Sequence, residues 1–130
     1  MTSISIALDS KVVQKPAKFK GPESEWLSWS FVFTNFLAAL DEDILRYLTV
    51  AEQFSTPLEM ASLGAQAKKI SSMLYSLLAQ VLEGPPLRIL MATRDRNGLE
   101  AWRKLKLRYE PSMGHRTLGA LQAIMNFGFG

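Results

Sequence analysis

An all-α fold, a compact bundle of five or six helices behind an extended N-terminal arm, is what the sequence predicts, and three observations carry that expectation. Apolar residues recur at three- and four-residue steps from Trp26 onward, which gathers them onto single helix faces. Helix start and stop signals punctuate the periodic stretches: Thr56-Pro57 opens one, while Gly84-Pro85-Pro86 and Pro111 close others. Hydrophobic residues make up 48% and charged residues 21% of the 130 positions, ordinary usage for one domain that buries a sizeable core.

The elements follow in order. Residues 1–20 read as an arm: Ile4, Ile6 and Leu8 alternate with polar residues as in a short strand, and a frayed terminus fits equally well. The helical domain is expected over residues 21–127. Pro22-Glu23-Ser24 opens a helix whose Trp26, Trp29, Phe33, Phe36, Leu37 and Leu40 share one face. Leu27, Phe31 and Val32 lie off that face, so this helix is apolar around much of its circumference and needs cover on more than one side. Asp41 caps a shorter helix carrying Ile44, Leu45, Tyr47 and Leu48, with Glu42 and Asp43 near its positive end.

Thr56-Pro57-Leu58-Glu59 combines a hydroxyl N-cap, a proline at the first helical position and a capping-box glutamate. It predicts a helix running through Leu63, Ala67, Ile70 and Leu77 to Val81, roughly 40 Å long at 1.5 Å per residue, with Gly64 as a weak point or a site of close packing. After the double proline, LRILMAT predicts two helical turns in the core. Asn97, with Glu100 three residues on, caps a helix whose Leu99, Trp102, Leu105 and Tyr109 form one stripe. Arg103, Lys104, Lys106 and Arg108 take its remaining faces. Ser112 starts a last helix with a stripe of Leu118, Leu121 and Ile124 or Met125, and residues 128–130 are a tail, read as a truncation point.

Catalysis has little to rest on. His115 is the only histidine, and there is no cysteine, hence no disulfide framework, zinc knuckle or thiol nucleophile. No phosphate-cradling glycine motif or metal-ligand spacing is present. The expectation is therefore a protein that is not an enzyme and uses no cofactor, metal or small-molecule substrate. His115 itself reads as a solvated or capping residue. Without a signal segment or a membrane-length apolar run, the expected location is cytoplasmic.

The net charge of +3 is unevenly spread. Residues 1–20 carry +3, residues 21–87 carry −5 and residues 88–130 carry +5, a split that could draw a polyanion to one face or let the basic end of one copy meet the acidic middle of another. Arg94, Arg96, Arg103, Lys104 and Arg108 are the candidate RNA contacts. Helical geometry scatters them, however, and no aromatic side chain is interleaved on their exposed side as a base-stacking platform would require. Any RNA binding is expected to be weak and sequence-independent.

The stretch FKGPESEWLSWSFVFTNFL (19–37) resembles the opening of the capsid-type region of Gag polyproteins from LTR retrotransposons, particularly the copia-like group. GLEAWRKLKLRYEPSMGHRTLGALQAI (98–124) resembles a later part of the same region. Phe19, Gly21, Trp26 and Trp29 match the first motif, and Ala101, Trp102, Leu105 and Tyr109 match the second. The resemblance implies an α-helical lobe of retroviral or retrotransposon capsid type that self-associates into a shell or lattice and packages RNA in the full-length protein. Ile4, Ile6, Leu8, Leu27 and Phe31 are the candidate self-association residues. The chain could be an N-terminal capsid fragment or a captured Gag-like host domain. Two other readings stay open: a helical nucleic-acid-binding module built on residues 94–116, and an adaptor whose groove holds an amphipathic peptide.

Overall fold

The computed structural model describes residues 15–110. Within them lie five α-helices: α1 Trp26–Leu40, α2 Asp43–Glu52, α3 Ala65–Val81, α4 Pro85–Met91 and α5 Gly98–Tyr109. Short 3-10 turns occupy Glu23–Glu25, Met60–Ser62 and Arg94–Arg96. The all-α class is as expected, and among the described residues there is no strand, only one isolated parallel bridge between Phe19 and Leu82. The expected strand at Ile4, Ile6 and Leu8 and the last helix through Leu118 and Leu121 lie outside the described residues.

Helix α5 is the centre of the bundle, with α3, α2 and α4 all packed on it. Eight of its residues are buried: Gly98, Leu99, Glu100, Ala101, Trp102, Arg103, Leu105 and Tyr109. The closest approach is to α3, and Gly98 is the reason. A Cβ at position 98 would stand 2.4 Å from the Tyr75 backbone nitrogen and 2.5 Å from the Ser71 carbonyl oxygen, distances that backbone cannot yield without the helices separating. Gly98→Ala should therefore destabilise the domain at the upper end of about 1–3 kcal/mol for overpacking, measurable as a lower urea midpoint. An unchanged midpoint would show that α3 and α5 are not held this close.

Residues 15–20, assigned to the arm, in fact include a core residue. Phe19 is 1% exposed; its N–H donates to the Val81 carbonyl at 2.9 Å and its C=O accepts from the Glu83 N–H at 3.0 Å. Gly21 then turns the chain with φ +115°, and a Cβ there would come within 3.3 Å of the Pro86 ring. Glycine adopts that backbone without the steric cost any other residue would bear.

The predicted helix start at Thr56-Pro57 is not realised. Residues 55–59 are non-helical, and α3 begins at Ala65 with Gly64 as its N-cap, so the helix is roughly 25 Å long at 1.5 Å per residue. Tertiary bonds explain the difference. The Leu58 N–H donates to the Glu100 carboxylate at 2.8 Å, and the Leu58 C=O accepts from the Asn97 side-chain amide at 2.9 Å. With the Leu58 side chain buried as well, these contacts outweigh a local cap, whose removal costs typically about 1 kcal/mol. Gly64 is not tightly packed, since nothing would touch an added Cβ; it stands at the N-cap where α3 begins.

The other boundaries follow their signals. Asp41 ends α1 and accepts from the Asp43 N–H at 2.9 Å to start α2. Gly84 leads into α4, which begins at Pro85 and not after the double proline as expected: both prolines sit in its first turn, where a missing N–H breaks no helical hydrogen bond. Asn97 caps α5 by accepting from the Glu100 N–H at 3.1 Å. The capping box is only half formed, because the Glu100 side chain turns to Leu58 and Arg103 instead of reaching back.

Candidate functional site

The two sequence stretches that carry the family resemblance meet in one aromatic cluster. Trp26 lies 5.5 Å from Phe19, 5.6 Å from Trp29, 5.5 Å from Trp102 and 5.7 Å from Tyr109, measured between ring centroids. Phe33 joins through Trp29 at 4.9 Å and Trp102 at 5.7 Å. All these rings are buried, as are Ala101 and Leu105 behind them. Each indole N–H finds an acceptor in a different segment: Trp26 donates to the Glu110 carboxylate, Trp29 to the Ala17 carbonyl at 2.8 Å and Trp102 to Glu52 at 2.7 Å. A buried indole needs such a partner, and here the partners tie residues 17, 52 and 110 to a single core. The cluster is the inside of the fold.

The basic residues fare differently from their sequence expectation. Arg103 is 5% exposed and forms a two-pronged ion pair with Glu100, Nε to Oε1 and Nη2 to Oε2 both at 2.8 Å. It is a structural cation inside the bundle and is not available to RNA. The reason is that position 103 faces the Leu58 segment and the buried Glu100 carboxylate, while Leu107 and Arg108 further along α5 stay exposed. Arg108 is exposed but pairs with Glu23 at 2.8 Å. That hydrogen bond is the main cause raising its already high pKa, opposed by desolvation, with the Tyr109 and Glu23 charges adding smaller upward contributions. Lys106 sits between Glu52 at 3.3 Å and Glu110 at 3.8 Å. Arg96 bonds the Ser76 hydroxyl and lies over the Tyr75 ring, 5.1 Å from its centroid.

Of the five candidate RNA contacts, Arg94 and Lys104 alone have no ion-pair or hydrogen-bond partner among the described residues. They line a depression of about 270 Å³ with Pro57, Met60, Glu59, Asp95 and Glu100, so three acids stand beside the two cations. Its size is below the roughly 300–1,000 Å³ of small-molecule sites. Two phosphate contacts would give a salt slope near −1.4 on a single strand, far from the steep dependence of proteins that make about 6–10 contacts.

The outer face of α1 is the feature that stands apart. Phe31 is 69%, Leu27 57% and Val32 50% exposed, and none of the 15 residues of α1 is charged. Leu27 and Phe31 are one turn apart and form a ridge. Neighbouring polar side chains bond backbone carbonyls of the same helix: Ser30 donates to the Leu27 carbonyl, Thr34 to the Ser30 carbonyl at 2.9 Å and Asn35 to the Phe31 carbonyl at 2.9 Å. Polar groups bonded to their own helix offer fewer donors to water. The ridge therefore has aromatic and aliphatic surface without the charges that normally solvate an outer helix face.

Sequence reasoning placed Leu27 and Phe31 correctly outside the core; Ile4, Ile6 and Leu8 lie outside the described residues, as do His115 and Arg116. It missed the Glu100–Arg103 pair, although the three-residue spacing was there to be read, and it missed Ser71, whose hydroxyl donates to Asn97 at 2.6 Å and accepts from the Leu99 N–H at 3.0 Å. Nothing in the sequence ties position 71 to position 97. Among the described residues no helix is long and apolar enough to cross a membrane. No family model matches the chain, and neither a curated protein nor a solved structure does.

Proposed function

We propose that this chain is a structural, non-enzymatic module of the Gag capsid type, in which copies tile through weak contacts into a shell or lattice. The observation that carries the proposal is the uncharged outer face of α1, with Leu27 and Phe31 exposed on a helix whose inner face is anchored by Trp26, Trp29 and Phe33. A rigid inside and an adhesive outside suit a building block, because contacts that are feeble singly become strong when repeated. Convergence of the resembling stretches on one cluster supports the same reading. RNA, in this reading, is enclosed by the assembly of the full-length protein and is not gripped by α5, whose cations are mostly engaged in ion pairs.

Sedimentation velocity of the purified chain across concentration and salt tests this directly. Self-association that grows with concentration is expected, and Phe31→Asp should abolish it while changing stability by no more than about 0.5 kcal/mol, as surface substitutions do. A strictly monomeric chain at all concentrations, or association indifferent to Phe31→Asp, would remove α1 as the contact.

A further inference from the structure

We propose that the outer face of α1 takes as its partner the same face of a second copy, the two helices antiparallel across a two-fold axis with Leu27 of each on Phe31 of the other. This rests on the self-association reading above and names the surface that the ridge meets. The first support is elimination. Among the described residues the exposed large apolar side chains are Leu27, Phe31, Val32, Met91 and Leu107. Met91 lies three residues from each of the exposed Arg88 and Arg94, and Leu107 lies between Lys106 and the exposed Arg108. Laying the ridge on either would strip water from neighbouring cations, and the 15 residues of α1 offer no counter-charge. A second α1 carries no such cost, because uncharged surface meets uncharged surface.

Helical geometry gives the register. Placing Leu27 on Phe31 and Phe31 on Leu27 centres the pair on position 29. Ser28, small and exposed, then stands one residue from the axis, so its two copies are roughly 3 Å apart along the helices at 1.5 Å per residue. A side chain of that size at the centre lets the helix axes approach to the usual distance of about 8–10 Å.

Charge fixes the direction. In the antiparallel pair Glu25, four residues from the centre, is roughly 12 Å from its counterpart along the helices. The exposed acids Asp41, Glu42 and Asp43 beyond the other end of α1 are roughly 36 Å or more from theirs. Both separations exceed the Debye length of about 8–10 Å. A parallel pair would set each of these acids against itself, and juxtaposed like charges are costly.

Size sets the strength. Three large side chains per copy are a fraction of the about 20–30 residues a side in a standard stable interface, so the pair is weak. Symmetry sets its reach: a contact of one surface with itself closes at two copies, and growth into a shell then needs a second, different surface.

The chain contains no cysteine, so an introduced thiol reports its own surroundings. In the 130-residue chain, Ser28→Cys in a glutathione redox buffer should give a disulfide-linked dimer whose yield rises with protein concentration. Facing Cα atoms near the centre of such a helix pair fall within the about 4.4–6.8 Å that a disulfide spans. Asn35→Cys, exposed on the same helix but six residues from the centre, should stay unlinked, its two copies standing roughly 18 Å apart along the helices. Both substitutions leave Leu27 and Phe31 in place. Linkage at position 35, with or without linkage at 28, would overturn the antiparallel register, and linkage at neither position would overturn the pairing of α1 with itself. Sedimentation of Phe31→Asp then separates the two readings. Association lost in Phe31→Asp without linkage at 28 keeps α1 as the contact and gives it a different partner surface, whereas association indifferent to Phe31→Asp removes the contact altogether.

Discussion

Trp26→Ala should cost the domain about 3–5 kcal/mol, the range for emptying a buried aromatic site, and should leave it at or beyond the edge of unfolding. The whole stability of a domain is typically about 5–15 kcal/mol. Trp26 is fully buried and its ring touches Phe19, Trp29, Trp102 and Tyr109, which come from the N-terminal arm, α1 itself and α5. Surroundings drawn from three segments cannot collapse together to fill the gap. Deletion also strips the donor from Glu110, a carboxylate that Lys106 approaches at 3.8 Å. Urea unfolding followed by far-ultraviolet circular dichroism reads the loss. Trp26→Phe should lie between the parent and the alanine variant, because it keeps most of the ring volume and loses the indole N–H. A loss below about 1 kcal/mol for Trp26→Ala would mean that the cluster is not the core's centre.

Arg103→Ala should destabilise by a similar amount, about 3–5 kcal/mol, through charge rather than volume. The Glu100 carboxylate is buried beside Arg103 and accepts from both the guanidinium and the Leu58 N–H. Without the cation, a buried anion keeps one neutral donor and loses its counter-charge. At roughly 4 °C per kcal/mol for a domain of this size, the expected drop in Tm is about 12–20 °C, read by a thermal melt. An RNA-contacting arginine would behave in the opposite way, with little change in Tm and a loss of binding. Arg94→Ala and Lys104→Ala, which remove cations without partners among the described residues, should each shift stability by no more than about 0.5 kcal/mol.

The legible parts of this fold are those governed by neighbours in sequence. The spacing of Trp26, Trp29, Phe33, Phe36 and Leu37 placed them on one buried face because helical pitch is fixed by the backbone, whatever packs against it. Asn97 caps α5, and Gly84 with Pro85 at the first helical position separates α4 from α3, because those signals act through hydrogen bonds and torsions within a few residues. Thr56-Pro57-Leu58-Glu59 carries an equally clear local signal, yet residue 58 spends its main-chain groups on Asn97 and Glu100, some 40 positions away. A capping preference is worth about 1 kcal/mol, little enough for two buried hydrogen bonds and a buried leucine to override.

Helix α5 shows the same division in its clearest form. Its sequence determined a helix, an apolar stripe and four cations in the remaining positions. Only the tertiary structure decided that α2, α3 and α4 would pack on it, so that Arg103 faces a buried carboxylate and Lys106 lies between two glutamates, while Arg108 stays exposed. Helical periodicity fixes the direction of each side chain about its own axis, but what stands in that direction depends on contacts between residues far apart in the chain. By the same reasoning the sequence identified Leu27 and Phe31 as lying off the core face, while the packing of the bundle left that ridge of α1 uncovered by any described element.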